Sequence, residues 1–246
     1  MNSLMREEAL QAAEVCARQL ASDGDALAAL SASLRTEPPA SVLTIARGSS
    51  DHAAHYMAYL VMARLGRLVT SLPMSLLTLY QSPLPGTGVA AFAFSQSGRS
   101  PDLVTPTRHL RAGGARTVAL VNDTASPLAG ATEWVLPLHA GAERSVAATK
   151  SFIAQLLAGA RIVAAWQRDE PLQAALQALP EVLRRAAALD WSAALPALTD
   201  AERLFVIGRG TGQAIAQEAA LKFKETCGLH AEAFSAAEVL HGPMAW

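Results

Sequence analysis

Cysteine, aromatic residues and net charge are all scarce in this 246-residue chain. Its two cysteines, Cys16 and Cys227, cannot build the disulfide framework of a small secreted protein, and read as small buried thiols in a reducing compartment. With 20 basic and 21 acidic side chains the net charge is −1, which offers no general attraction for nucleic acid or anionic lipid. No basic helix-turn-helix segment is present, so a DNA-binding regulator is not expected. No charge-free apolar run reaches the length of a membrane span. The first residues, MNSLMREEALQAAEVCARQL, carry charges throughout, with Met5, Ala9, Ala12, Cys16 and Leu20 on one helical stripe. That pattern predicts an amphipathic helix rather than a signal peptide, and the protein is expected to be cytoplasmic. No metal-ligand spacing occurs. The glycines of GRGTG (208–212) are misplaced for a dinucleotide fingerprint, so neither metal nor cofactor is expected.

What is abundant is apolar: 51% of the residues are hydrophobic, mostly Ala and Leu, with only 5% aromatic. Such a composition suits helices packed on a sheet. SVLTIARGSS (41–50) reads as a buried strand running into a Gly-Ser turn and then a helix to about Leu65. Further strands are predicted over 88–95, 116–122 and 133–138, with helices over 101–113, 125–130 and 149–167. This alternation predicts an α/β fold, a three-layer parallel sheet with helices on both faces. ERLFVIGRGTG (202–212) repeats the form of the first strand and turn. At an offset of 162, Ile45 matches Ile207, Arg47 matches Arg209, Gly48 matches Gly210 and Gly66 matches Gly228. Two copies of one unit follow, the second expected to be incomplete. The expected organisation is an N-terminal helical segment (1–40), a first α/β domain (41–170), a helical connector (171–200) and the start of a second domain (201–246).

In open α/β sheets ligands bind beyond the carboxyl ends of the strands. In FSQSGRSPDLV (94–104), Ser100, Pro101 and Asp102 form a helix start, with Ser95, Gln96, Ser97 and Gly98 ahead of it. Hydroxyls and amides at such a place suit a phosphate, as they would equally suit an ordinary capped turn. Ser49 and Ser50 stand at a second helix start. HAGAERSVAATKS (139–151) follows the last strand of the first copy. In the second copy Glu218, Lys222 and Glu225 fall on one helix face. At the same offset, Lys222 and Glu225 correspond to Leu60 and Ala63, so one copy uses this helix for packing where the other places an amine and a carboxylate. A carboxylate pulled up by apolar surroundings and down by an ammonium can serve as a base on a carbon acid. His241 adds a group that moves protons near neutrality.

ARGSS, SQSGRSPD, ERSVAATKS and ALKFKETCGLHAEAFSAAEVLHGP, in this order, resemble the double sugar-isomerase (SIS) domain family, whose sheets are flavodoxin-like. The family includes the isomerase half of glucosamine-6-phosphate synthase and stand-alone amino-sugar-phosphate deaminases and isomerases. The resemblance implies that Ser95, Gln96, Ser97 and Ser100 hold a sugar phosphate, with Ser49, Ser50 and the backbone near Val146 lining the sugar. It implies that Glu225 moves a proton between C1 and C2, that Lys222 stabilises the enediolate or engages the carbonyl, and that Glu218 orients Lys222. His241 would open the sugar ring from the neighbouring subunit, which implies a homodimer with a shared active site. Residue 2 is Asn, not the cysteine nucleophile of a glutaminase, so deamination of an amino-sugar 6-phosphate is expected over glutamine-dependent synthesis. Two alternatives stay open, a non-catalytic phosphosugar-binding regulatory module and an inactive truncated fragment.

Overall fold

Buried apolar runs become strands, and the periodic segments between them become helices, throughout residues 3–242, the part of the chain that the computed structural model describes. Helices α1 (Leu4–Leu10), α2 (Ala12–Leu20) and α3 (Gly24–Thr36) precede strand β1 (Ser41–Ile45) and helix α4 (Ser49–Leu65). There follow β2 (Val69–Ser71), α5 (Ser75–Thr78), β3 (Val89–Ser95) and α6 (Pro101–Ala112). Next come β4 (Arg116–Val121), α7 (Pro127–Ala131), β5 (Trp134–Pro137) and α8 (Lys150–Gln167). Helices α9 (Glu170–Ala187) and α10 (Leu195–Thr199) lead to β6 (Arg203–Gly208), α11 (Gly212–Lys222), β7 (His230–Ser235) and α12 (Ala236–His241).

The first five strands form one parallel sheet in the order β2-β1-β3-β4-β5. Strands β3 and β4 are buried on both sides after their first residue, which is why they read as unbroken apolar runs. One face carries Val42, Phe92, Phe94, Val118 and Leu120 against α4 and α8. The other carries Ile45, Ala91, Ala93, Ala119 and Val121 against α6 and α7. Helices on both faces of a parallel sheet are the predicted fold. Strands β6 and β7 form a separate parallel pair. Among the described residues, no helix is long and apolar enough to cross a membrane.

Three local expectations are corrected, one being that Cys227, expected as a buried thiol, is exposed. The N-terminal stripe forms two helices rather than one, because the Gln11 amide turns back to the carbonyls of Glu8 and Ala9. Its inward side survives the bend, with Ala12 and Cys16 fully buried. Strands β2 and β7 are additions that the sequence pattern does not announce. β2 is three residues long and lies at the sheet edge, too short for a period-2 signal.

Candidate active site

The strand order reverses between β1 and β3, so the turns that follow these two strands lie side by side at a topological switch point. Ser49 and Ser50 open α4, and Gln155 from α8 donates to Ser50 Oγ at 3.0 Å. Ser95 is buried at the end of β3, and its hydroxyl accepts the Gly98 amide at 2.9 Å. Gly98 takes φ +64°, and its carbonyl accepts the Leu128 amide. Gln96 is half-buried and Ser97 exposed. Ser100 occupies the N-cap of α6 as the sequence predicts, yet its side chain makes no capping hydrogen bond. The Ser100 hydroxyl is therefore not spent on the cap of α6. Ion pairs brace the turn on both sides, Arg47 with Asp102 at 2.9 Å and Arg99 with Asp123 at 2.7 Å. Both pairs are exposed, so they add little stability and act mainly on geometry.

The charged stripe of α11 faces α4 of the first copy. Lys222 Nζ lies 3.1 Å from Ser49 Oγ, 3.1 Å from Glu218 Oε1 and 2.7 Å from Glu225 Oε2. Glu218 Oε2 is 2.8 Å from His52 Nδ1. Glu225 sits in a π-helical turn, Phe223–Cys227, that continues α11 and ends at Gly228 with φ +65°. Such turns recur where a helix must re-aim a functional side chain. Exposure rises along the stripe: Glu218 is 5% exposed, while the side chains of Lys222 and Glu225 are 16% and 37% exposed. The stripe thus runs from the interior outward, with Glu225 at the open end. Burial pushes the Glu218 carboxyl up, but the His52 hydrogen bond, the Lys222 charge and Ser49 outweigh it and hold it below the ordinary glutamate value.

The Val146 side chain is fully exposed on a loop that is tied down from the N-terminus. Buried Glu8 on α1 accepts the amides of Arg144 at 2.7 Å and Ser145 at 3.0 Å. Buried Lys150 donates to Gln11 Oε1 at 2.8 Å and to the Ala142 carbonyl at 2.5 Å. Burial raises the Glu8 carboxyl, yet these two amides and Lys150 leave it below its ordinary value. A group whose pKa is depressed by folding contributes stability above its unfolded value, and that contribution is lost as pH falls through the folded value. Glu8→Gln is therefore expected to lower the urea midpoint at pH 7 and to narrow the gap to wild type as the pH drops below about 4. Urea titrations at the two pH values check this; an equal gap at both would contradict it.

His241 is exposed at the end of α12, and among the described residues no hydrogen bond or ion pair joins it to Lys222 or Glu225 of its own chain. Three residues at or beside these turns escape the sequence reading: His52, Gln155 and Glu8. His52 stands three positions after Ser49 and so shares its helix face, a signal present in RGSSDH. Glu8 and Gln155 leave no local signal, since their partners are remote in sequence.

A sequence model of the SIS domain matches residues 37–165 and 197–246. A glutamine–fructose-6-phosphate aminotransferase (isomerizing) of Symbiobacterium thermophilum is 34% identical over 216 residues, covering 83% of this chain and 35% of that protein. The chain spans about a third of the length of the curated relatives it matches. The crystal structure of a candidate phosphosugar isomerase from Silicibacter pomeroyi aligns with a TM-score of 0.95 and 46% identity, over 98% of this chain and 74% of that one. Glucosamine-6-phosphate deaminase of Thermotoga maritima shares the fold, with a TM-score of 0.76 and 22% identity over 99% of this chain and 73% of that one.

Proposed function

The chain belongs to the SIS domain family, and on that premise we propose that it is a cytoplasmic, homodimeric enzyme that deaminates or isomerises an amino-sugar 6-phosphate. In the reaction proposed, glucosamine 6-phosphate becomes fructose 6-phosphate and ammonia. The phosphate sits at Ser95, Gln96, Ser97 and Ser100, on hydroxyls and amides at the start of α6. Ser49, Ser50 and the backbone near Val146 line the sugar. His241 from the second subunit opens the ring. Glu225 takes the proton from C2 and returns it at C1, leaving an imine at C2. Water then adds to that imine and ammonia leaves. Lys222 stabilises the oxygen charge that develops at C1 while the proton is in transit.

The observation that carries this reading is the placement of Lys222, held by Ser49 and Glu218 from inside while it touches Glu225 at the open end. A sugar-binding module needs no base, and a solvated helix face would not bury Glu218. The relatives named as an aminotransferase and a deaminase support the same class of chemistry.

The test is ammonia release and ketose formation from glucosamine 6-phosphate, galactosamine 6-phosphate and their N-acetylated forms. Turnover of a sugar phosphate with an unacetylated amine, releasing one ammonia per ketose, is expected. Tight binding of these phosphates with no turnover would favour a regulatory module instead.

A further inference from the structure

We propose that His52 is a positioning residue of this reaction, acting on Lys222 through Glu218. The inference rests on the amino-sugar-phosphate reading and extends it to a residue of the other structural copy. Glu218 is buried, and a carboxylate so placed requires partners for its charge. The Lys222 ammonium lies 3.1 Å from one oxygen, Oε1, as an ion pair without hydrogen-bond geometry, and an imidazole nitrogen, His52 Nδ1, meets the other. An ionised carboxylate only accepts hydrogen bonds, so His52 must carry its proton on Nδ1 to make this contact. The partner thereby selects the tautomer.

The consequence falls on Lys222. Its ammonium is a compact charge on a flexible stem, so its position is set by the balance of the groups around it. Those groups are Ser49 Oγ, Glu218 Oε1 and Glu225 Oε2. With His52 in place, part of the Glu218 charge is engaged on the side away from Lys222. Without it, Glu218 draws the ammonium inward, away from Glu225 and the open end of the site. The phosphate turn belongs to other elements, β3 and α6, and is untouched by this shift. Loss of His52 is therefore a defect of turnover and not of binding.

The sequence repeat supports a pairing made for this purpose. At the offset of 162, His52 corresponds to Ala214 and Glu218 to Tyr56. Among the described residues, the His–Glu contact joins the first copy's α4 to the second copy's α11, where the charged stripe is.

The test uses the full chain with His52→Ala and His52→Asn, the latter placing an amide N–H near the position of Nδ1. His52→Ala is expected to lower kcat about 10- to 100-fold, a loss in the range that small misplacements produce, with KM changed less than about twofold. His52→Asn is expected to restore most of that loss. In wild type, the 15N shifts of the His52 ring should show Nδ1 protonated, a readout that does not depend on turnover. The proposal is overturned by unchanged kcat in His52→Ala, by a loss confined to KM, by His52→Asn folding but faring no better than alanine, or by a bare Nδ1. Absence of turnover in wild type with Nδ1 protonated would instead sink the enzymatic reading while leaving the contact standing.

Discussion

Glu225→Gln is expected to lower kcat for amino-sugar-phosphate turnover about 1,000-fold, within the range for removal of a general base, and to leave KM within about threefold. The substitution keeps the side-chain volume and an acceptor oxygen, so the 2.7 Å contact with Lys222 survives as a hydrogen bond from the ammonium to an uncharged acceptor. What disappears is the group proposed to receive the C2 proton. Glu225 is partly exposed, so its ion pair contributes under about 1 kcal/mol and folding should be nearly unchanged. Two measurements separate chemistry from structure. Ammonia release reports the whole reaction, while exchange of the C2 hydrogen with deuterated solvent reports proton transfer alone. Both should fall together. Exchange at the wild-type rate with the glutamine variant would assign the base to another residue.

Gly98→Ala is expected to cost about 3 kcal/mol of stability, from overpacking together with a left-handed backbone, and to weaken sugar-phosphate binding at least about tenfold. A Cβ at position 98 would stand 2.1 Å from Ser126 Oγ, 2.6 Å from Ser126 Cβ and 2.8 Å from Val121 Cγ2. Ser126 cannot easily give way, because it is buried and its hydroxyl caps α7 by accepting the Ala129 amide. The φ of +64° adds strain that only glycine avoids. The turn would have to lift away from β4, carrying the amide that now bonds Ser95 Oγ. Urea denaturation gives the first quantity and titration with sugar phosphate the second. A variant as stable as wild type would mean that the turn relaxes without cost and that the contact with Ser126 does not hold it in place.

Both predictions concern residues whose types are readable from the chain but whose surroundings are not. Gly98 lies in a serine-rich stretch after an apolar run, a pattern that marks a turn without naming its neighbour. Ser126 comes close only because β4 pairs beside β3. The stripe of Glu218, Lys222 and Glu225 is readable because helical periodicity is a local property. Its orientation toward Ser49 and His52 is not, since those contacts join residues 173 and 166 positions apart. The same limit explains Glu8, which reaches the 144 and 145 amides across 136 and 137 positions.

The chain by itself determined the alternation of strand and helix, the serine turns and the charged helix face, because each depends on periodicity or composition within a few residues. The tertiary structure alone decided that the reversal of strand order sets the two serine turns side by side, and that α11 turns its charges onto α4 rather than into water. Burial is the physical reason. A carboxylate and an ammonium can be enclosed only where distant segments supply acceptors, donors and opposite charge, and no local pattern encodes which segments will meet.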